Sequence, residues 1–307
     1  MPIPVIIDCD PGTEDAIALL LAFASPELSV LAITVAGGNA GLHRTLPNTL
    51  ALTALAGSRI PVHAGADRPL LGRFVSEPGV HGEDGLGGVA LPPGGAMAPG
   101  LAADVIRQLL RAATEPVTLI GIGPATNFAL ALATEPALAV QVDRIVLMSG
   151  AWAEGNVTPA AEFNAWSDPE ALAILLASGR PVVFATLELT AQAMVTRARL
   201  AAWRGLGSGR CLQAACDIQA SVPPSIRLGG QGAPLHDPCA VAWLIRPDLF
   251  TARPCSVRVD LGPGPGRGRT LIDRWGRTND PLDATVLETL NADQFFAFLG
   301  QRLALLP

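Results

Sequence analysis

Short apolar runs rich in Val, Ile and Leu alternate along the chain with longer segments rich in Ala and Leu. The short runs have the length and composition of strands that are buried on both faces of a sheet. The predicted strands are residues 5–7, 30–35, 117–122, 145–147 and 182–187. The predicted helices are residues 16–24, 46–55, 101–112, 126–133 and 169–177. This alternation predicts an α/β fold: an open, mostly parallel, Rossmann-like sheet flanked by helices.

The pattern gives no sign of a linker between domains or of an internal repeat. The Gly- and Pro-rich segments 78–100 and 262–268 are predicted to be loops. The whole chain, residues 1–307, is therefore predicted to form a single domain.

Open parallel sheets bind their ligands at the carboxyl ends of the strands, so the residues that follow each apolar run are the first candidates for chemistry. These residues are Asp8 and Asp10, then Asn39, then Thr126 and Asn127, and finally Met148 with Ser149. We expect them to lie together at one edge of the sheet.

The amino-acid composition limits the classes of partner and of chemistry that this chain can be expected to have. The 21 basic and 27 acidic side chains give a formal charge of −6, and no basic block occurs, so nucleic acid and anionic membrane are disfavoured as partners. The longest uncharged stretch, 116–134, contains Gly and Pro and is not expected to span a membrane. The chain has no Lys, which excludes Schiff-base and P-loop lysine chemistry.

The chain has an odd number of cysteines with no paired spacing: Cys9, Cys211, Cys216, Cys239 and Cys255. We expect free thiols in a reducing compartment. The first apolar run carries no basic residue before Asp8, so it does not resemble a signal peptide, and a cytoplasmic location is expected.

Four carboxylates follow the first predicted strand within eight residues: Asp8, Asp10, Glu14 and Asp15. Capping of the next helix accounts for one or two of them, because acids are favoured in a first helical turn. Four would repel one another strongly unless a cation neutralised them. Oxygen ligands with no His or Cys at metal spacing nearby favour Ca²⁺ or Mg²⁺ over zinc, and Ca²⁺ accepts six to eight oxygens in loose geometry.

The segment Asp8-Cys9-Asp10-Pro11-Gly12-Thr13-Glu14-Asp15 resembles the amino-terminal signature of the inosine-uridine preferring nucleoside hydrolases, Asp-x-Asp-Pro-Gly-x-Asp-Asp. Further segments resemble that family in the same order: residues 35–39, 61–66, 81–87, 123–127, 155–159, 161–164, 168–171 and 236–238. The resemblance covers nearly the whole chain and implies the nucleoside hydrolase fold, with the active site at the carboxyl ends of the strands.

The resemblance also implies a Ca²⁺ at the bottom of the pocket, bound to the ribose hydroxyls and to the attacking water. The implied ligands are Asp10, Asp15, the main-chain carbonyl of Thr126, and Asp237. Asp10 is also implied as the general base that takes a proton from that water, because a metal-bound water loses its proton more easily. Cleavage builds positive charge on the ribose, which nearby carboxylates stabilise. His236 matches the general acid of the pyrimidine-accepting and broad-specificity branch; such an acid contributes typically ~10²–10⁴ in rate.

The remaining implied contacts are with the substrate. Those predicted to hold the ribose hydroxyls are Glu14, Asn39, Asn156, Glu162 and Asn164. Met148 and Phe163 are predicted to wall the sugar pocket, and His81 to line the base pocket. The implied activity is Ca²⁺-dependent hydrolysis of the N-glycosidic bond of ribonucleosides, pyrimidine-type or broad inosine/uridine-type, to ribose and free base in nucleoside salvage. The implied assembly is a homodimer or homotetramer.

The chain departs from the family pattern at Glu14, where the family has Asp. Glu is longer by one methylene, and a misplacement of ~1 Å can cost on the order of 10²-fold in rate. The chain also has no Tyr, so the tyrosines that some members place near the base are missing. Arg227 and Trp275 are candidate replacements, and loops in the range 203–232 are predicted to form much of the base pocket.

Taken singly, several residues have simpler interpretations. Asp237-Pro238 is typical of a helix start, and Thr126 can begin a helix. Glu162 and Asn164 can be polar loop residues, and His236 can be an ordinary polar side chain. Asp168-Pro169 is interpreted only as a helix start. Their joint occurrence in family order favours the site.

Other classes fit the sequence less well. A haloacid dehalogenase-like phosphatase requires Thr or Val where Gly12 stands, and a Lys. A Rossmann dehydrogenase requires a glycine fingerprint, whereas acids end the first strand. A non-catalytic Ca²⁺- or ribose-binding homologue, and a hydrolase of an unusual or modified nucleoside, stay open because of Glu14.

Overall fold

The structure, a computed structural model, describes residues 1–76 and 78–307, the side chain of Pro78 excepted. The strands are β1 (Ile3–Cys9), β2 (Leu28–Val35), β3 (Val62–Ala64), β4 (Val117–Gly121), β5 (Val142–Met148), β6 (Val182–Ala185), β7 (Met194–Thr196), β8 (Gly232–Pro234), β9 (Phe250–Val259), β10 (Thr270–Asp273) and β11 (Ala284–Leu290).

The helices are α1 (Thr13–Phe23), α2 (Leu42–Leu55), α3 (Pro78–His81), α4 (Ala102–Ala112), α5 (Thr126–Thr134), α6 (Phe163–Ser167), α7 (Pro169–Leu176), α8 (Leu187–Thr190), α9 (Arg197–Arg204), α10 (Arg210–Ser221), α11 (Pro238–Ile245) and α12 (Ala292–Leu303). Short 3-10 turns lie at Pro136–Gln141, Ile226–Leu228 and Pro247–Leu249.

Within the described residues, nine strands form one open sheet in the order β10-β9-β11-β6-β5-β4-β1-β2-β3, while β7 and β8 form a separate antiparallel pair. Pairing is parallel from β3 through to β11, and it is antiparallel in the two pairs that β9 makes with β11 and with β10. The predicted open, mostly parallel sheet flanked by helices is confirmed. From β1 the chain moves first towards β3 and later towards β6, so the order reverses beside β1, where open α/β sheets bind ligands.

The central strands are apolar throughout because both faces of the sheet are covered. In β1, Val5 and Ile7 pack into one cluster with α1, α2, α10, α11 and α12. Ile6, which points the other way, packs into a second cluster with α4, α5 and α7. No helix of the described residues is long and apolar enough to cross a membrane.

The predicted strand over 182–187 is wrong at its end. β6 stops at Ala185, and α8 begins at Leu187, whose N–H donates to the carbonyl of Gly150. Leu187 and Leu189 are as buried as the strand itself, so hydrophobicity does not mark where the strand stops.

Three other predicted segments also differ. The predicted loop 78–100 contains the single turn α3, and the predicted loop range 203–232 contains the three-turn helix α10. Helix α2 begins at Leu42, four residues before its predicted start, and carries Pro47 inside it. The other predicted helices and strands are found, with ends that differ by a few residues.

Asp168 joins three elements below the carboxyl edge of the sheet. Its Oδ1 accepts the N–H of Ala171 (3.1 Å) and caps α7, as the interpretation of Asp168-Pro169 as a helix start predicts. Its Oδ2 accepts the N–H of Leu70 (2.8 Å) and the hydroxyl of Thr126 (2.6 Å), the first residue of α5. One carboxylate therefore fixes the starts of two helices.

We predict that Asp168→Ala lowers the free energy of unfolding by about 1–3 kcal/mol, because a helix cap and two buried hydrogen bonds are lost. Urea unfolding of the purified protein measures the change. Asp248→Ala, at an exposed carboxylate paired with Arg246, is the matched control and should leave the free energy of unfolding near the wild-type value. Equal effects of the two substitutions would contradict the assignment.

Candidate active site

Asp10 follows β1 directly and is completely buried. A Cβ at Gly38 or at Gly123 would lie 2.9 Å from Asp10 Cγ and closer still to one of its oxygens, so only glycine at both positions admits the carboxylate. Asp10 Oδ2 accepts the N–H of Asn39 (2.7 Å). Asp10 Oδ1 has no hydrogen-bond partner.

Asp15 lies in the first turn of α1 and accepts three hydrogen bonds. Its Oδ1 accepts the N–H of Asp10 (3.1 Å), and its Oδ2 accepts the N–H of Gly12 (2.9 Å) and the Nδ2–H of Asn39 (3.0 Å). The bond from Gly12 is that of a capping box. Helix capping thus explains one of the four acids of this segment, and Asn39 donates to two of them.

Asp237 precedes α11, and Pro238 is the first residue of that helix. The interpretation of this pair as a helix start is correct for the backbone. It is wrong for the side chain, because the carboxylate makes no capping hydrogen bond and instead lies close to the carboxylates of Asp15, Glu14 and Asp10.

Burial and mutual repulsion disfavour the ionised form of these carboxylates. The pKa of Asp10 is raised well above its ordinary value, first by burial and then by the charge of Asp15. The pKa of Asp237 is raised well above its ordinary value for the same two reasons. Burial raises the pKa of Asp15 to about 6, although its backbone hydrogen bonds act in the opposite direction.

A hard cation fits this group of residues. All of the donors are oxygens, and one buried carboxylate oxygen, Asp10 Oδ1, is without a partner. Thr126, the predicted main-chain ligand, begins α5 three residues after Gly123, which packs on that oxygen. Among the described residues, no three His, Cys, Asp or Glu side chains already form a closed metal cluster, so the fit rests on charge and on the unpartnered oxygen.

Asp8 has a different position from the other acids of the segment. Its Oδ1 accepts the hydroxyl of Thr34 (2.5 Å) and the Nδ2–H of Asn127 (2.8 Å), which joins β1 to β2 and α5. Burial raises the pKa of Asp8 to about 7. Asp8 and Asn127 therefore hold the strand ends together.

Glu14 lies beside His81 on the same cavity wall. Its Oε2 accepts the hydroxyl of Thr13 (2.9 Å) and lies 3.4 Å from His81 Nδ1. The N–H of Thr13 donates to the same Nδ1 (3.2 Å). The carboxylate of Glu14 therefore contacts His81 as well as Thr13 of its own helix.

His236 is half-buried and follows β8. Its Nδ1 lies 2.6 Å from the hydroxyl of Thr190, the last residue of α8. Burial is the main cause that lowers its pKa, which favours the neutral ring. The hydroxyl of Thr190 also donates to the carbonyl of Leu187 (3.3 Å), so the Nδ1–H of His236 donates to the hydroxyl oxygen, and Nε2 is left for a ligand.

The opposite wall is formed around α6. Glu162 caps that helix and accepts the N–H groups of Gly150 (2.8 Å), Asn164 (2.8 Å) and Ala165 (3.0 Å). Asn164 Nδ2 donates to the carbonyls of Ile122 and Met148. Both side chains thus have structural partners as well as a place on the cavity wall.

Asn156 Oδ1 accepts the N–H of Phe163 (2.9 Å), which joins the loop after β5 to the start of α6. Phe163 and Met148 are buried and give this wall its apolar surface.

One cavity of about 610 Å³ lies among these residues, and the buried Asp10, Asp15 and Thr126 are not part of its wall. The predicted site residues on its wall are Glu14, Asn39, His81, Met148, Asn156, Glu162, Phe163, Asn164, His236 and Asp237. Arg227 also lines it and donates to the carbonyl of Gly155 (2.6 Å). The suggestion of Trp275 is wrong: its side chain is 79% exposed and lies away from the cavity.

The sequence prediction missed Thr190 and Glu188, both on α8. The rule that selected the ends of β1, β2, β4 and β5 would also have selected Glu188. The rule was not applied to the predicted strand 182–187, although Glu188 follows that run directly.

Comparison with known proteins agrees with this geometry. The family model described as "Inosine-uridine preferring nucleoside hydrolase" matches residues 5–297. The pyrimidine-specific ribonucleoside hydrolase RihA of Salmonella gallinarum is 43% identical over 307 residues, which cover 99% of both chains. The enzyme of the same name from Photobacterium profundum is 42% identical over 305 residues, or 98% of both chains.

Solved structures show the same likeness. The purine-preferring ribonucleoside hydrolase from Gardnerella vaginalis superposes with a TM-score of 0.89 at 30% identity and covers 98% of both chains. The plant nucleoside hydrolase PpNRh1 superposes with a TM-score of 0.91 at 30% identity over 99% of both chains. The chain therefore belongs to the inosine-uridine preferring nucleoside hydrolase family and is a nucleoside hydrolase.

Proposed function

We propose that this enzyme hydrolyses the N-glycosidic bond of pyrimidine ribonucleosides with the help of Ca²⁺, and releases ribose and free base for nucleoside salvage. One observation carries the proposal: buried Asp10, with its unpartnered oxygen, lies close to Asp237, and Asp237 lines the same cavity as His236. The relatives at 42–43% identity are named pyrimidine-specific, which supports the choice of base.

Asp10, Asp15, Asp237 and the carbonyl of Thr126 are the residues that would hold the cation. When bound, Ca²⁺ supplies positive charge that neutralises the carboxylates and makes a water easier to deprotonate. Asn39 orients the two carboxylates to which it hydrogen bonds, Asp10 and Asp15.

The chemistry of the chain's own groups then divides between the two ends of the glycosidic bond. The oxygen of the attacking water bonds to C1′ of the ribose, while Asp10 accepts a proton from that water. The nearby carboxylates stabilise the positive charge that develops on the sugar ring. As the bond from C1′ to the base nitrogen breaks, the base keeps the bonding electrons and takes a proton from Nε2 of His236 in its imidazolium form, which leaves a neutral ring.

The ribose is expected between Asn39 and Glu14 on one side and Asn156, Glu162 and Asn164 on the other. Glu162 and Asn164 hold their positions through backbone hydrogen bonds, so they are preorganised for the sugar. The base is expected against His81, His236 and the segment around Arg227, which closes the cavity.

The cellular setting is proposed from the thiols. All five cysteines are buried and free in the structure, in keeping with a reducing compartment such as the cytoplasm. The homodimer or homotetramer implied by the family resemblance stays a prediction, which light scattering of the purified protein would test.

The direct experiment is to measure reducing-sugar release from uridine, cytidine, inosine and adenosine, with Ca²⁺ and with a chelator. We expect release to require Ca²⁺, to favour the two pyrimidine nucleosides, and to fall by about 10²–10⁴ in Asp10→Asn, which keeps the shape but cannot take the proton. Activity that survives the chelator would contradict the role of the cation. Ca²⁺-dependent ribose binding with no base release would instead identify a non-catalytic homologue.

The packing of Gly123 on Asp10 gives a second prediction. Gly123→Ala should lower kcat/KM by on the order of 10²-fold and weaken Ca²⁺ binding, because the new methyl group would displace the Asp10 carboxylate. Gly207→Ala is the matched control, since a Cβ at Gly207 meets no atom within 4 Å. Wild-type kinetics in Gly123→Ala would show that the position of Asp10 is not critical.

The hydrogen bond between Thr190 and His236 gives a third prediction. Thr190→Val should lower kcat for uridine by about ten- to a hundredfold, because His236 loses the partner that fixes its ring hydrogen. Thr190→Ser keeps the hydroxyl and should restore most of the rate. A p-nitrophenyl riboside, whose leaving group needs no proton, should be hydrolysed at similar rates by all three proteins. An equal loss on both substrates would indicate only general damage to the site.

A further inference from the structure

Glu188 lies on the cavity wall, and its two carboxylate oxygens are used very differently. Oε1 accepts the backbone N–H groups of Trp152 (3.0 Å) and Ala153 (2.8 Å). Oε2 is buried and has no hydrogen-bond partner. A buried acceptor without a partner costs free energy, so a donor from a bound ligand is the natural complement of Oε2.

Both the carboxylate of Glu188 and the backbone of its helix are held by hydrogen bonds. On one side are the two N–H groups of the loop after β5. On the other, Gln192 Nε2 donates to the carbonyls of Glu188 (3.0 Å) and Glu288 (2.9 Å), and its Oε1 accepts the N–H of Leu290 (3.0 Å). The one-turn helix α8 is thereby tied to β11, and Glu188 Oε2 needs little reorganisation to receive a ligand.

The position of α8 places Glu188 on the side of the cavity where the base leaves. Thr190, two residues further along the same turn, makes the hydrogen bond to His236. Leu187 and Ala191, on either side of Glu188, line the same cavity. The proposed metal ligands approach the cavity from β1, α1, α5 and α11 instead.

We propose that Glu188 is a specificity-determining residue whose Oε2 accepts a hydrogen bond from an N–H group on the edge of a pyrimidine base. An ionised carboxylate has acceptors only, so it favours a base edge that carries a donor: N3–H of uracil or the 4-amino group of cytosine. The inference rests on the proposed hydrolysis of nucleosides and deepens it, because it names the group of the base that is recognised.

The test compares wild type with Glu188→Gln on three substrates: uridine, cytidine and the riboside of pyrimidin-2-one. The last keeps the ribose, the glycosidic nitrogen and the 2-oxo group but has no N–H on that edge. Glu188→Gln keeps the size of the side chain and an oxygen for Trp152 and Ala153, while it presents an NH₂ group where Oε2 stood. Glu135→Gln, at an exposed carboxylate paired with Arg111, is the matched control.

We expect Glu188→Gln to lower kcat/KM for uridine, for cytidine or for both by about ten- to a hundredfold, with less than a threefold change for the pyrimidin-2-one riboside. Glu135→Gln should leave all three values unchanged. Equal loss on all three substrates would overturn the inference and leave Glu188 as a structural anchor of the loop after β5. If the wild type releases no ribose from any of them, the proposed function itself fails, and the inference falls with it.

Discussion

Repulsion among buried carboxylates at the carboxyl end of β1 is the constraint on which the rest of the site depends. Burial raises the pKa of Asp10, Asp15 and Asp237, and the charge of Asp15 raises the pKa of Asp10 and Asp237 further. The fold offsets part of this cost with N–H donors, and Asn39 supplies two of them, one to Asp10 and one to Asp15. The charge that is left is the reason why a cation, and not a further hydrogen bond, suits this end of the cavity.

The cavity has two halves that are supported by different parts of the fold. The half with the carboxylates is built on β1, β2 and α1, and glycines at 38 and 123 permit the close packing around Asp10. The half with His236 depends on α8, a single helical turn tied to the sheet through Gln192. Because no hydrogen bond among the described residues joins α8 to Asp10 or Asp15, the recognition of the base can change without disturbing the acids that act on the ribose.

The sequence predicted the sheet and one half of the site well, for a physical reason. Parallel strands end at a common edge, so the rule that examines the residue after each apolar run brings Asp10, Asn39 and Thr126 together without any knowledge of their contacts. His236 and Asp237 follow β8 of the small separate sheet, so no strand-end pattern placed them, and only the family resemblance did. Glu188 follows the predicted run 182–187 directly and could have been found by the same rule, whereas Thr190 lies one turn further on, in a helix that hydrophobicity did not separate from the strand.

Glu14 shows that the family sequence pattern does not predict where a longer side chain is directed. A longer acid in the place of Asp suggests intrusion into the ribose site, yet the carboxylate turns towards Thr13 and His81. Asp15, its neighbour in the same turn, keeps its hydrogen bonds to Gly12 and Asp10. The Glu14 carboxylate thus contacts His81 and also lies close to Asp237. Where the family pattern differs by one carbon, the longer acid links the proposed cation ligands to the side of the cavity that holds His81.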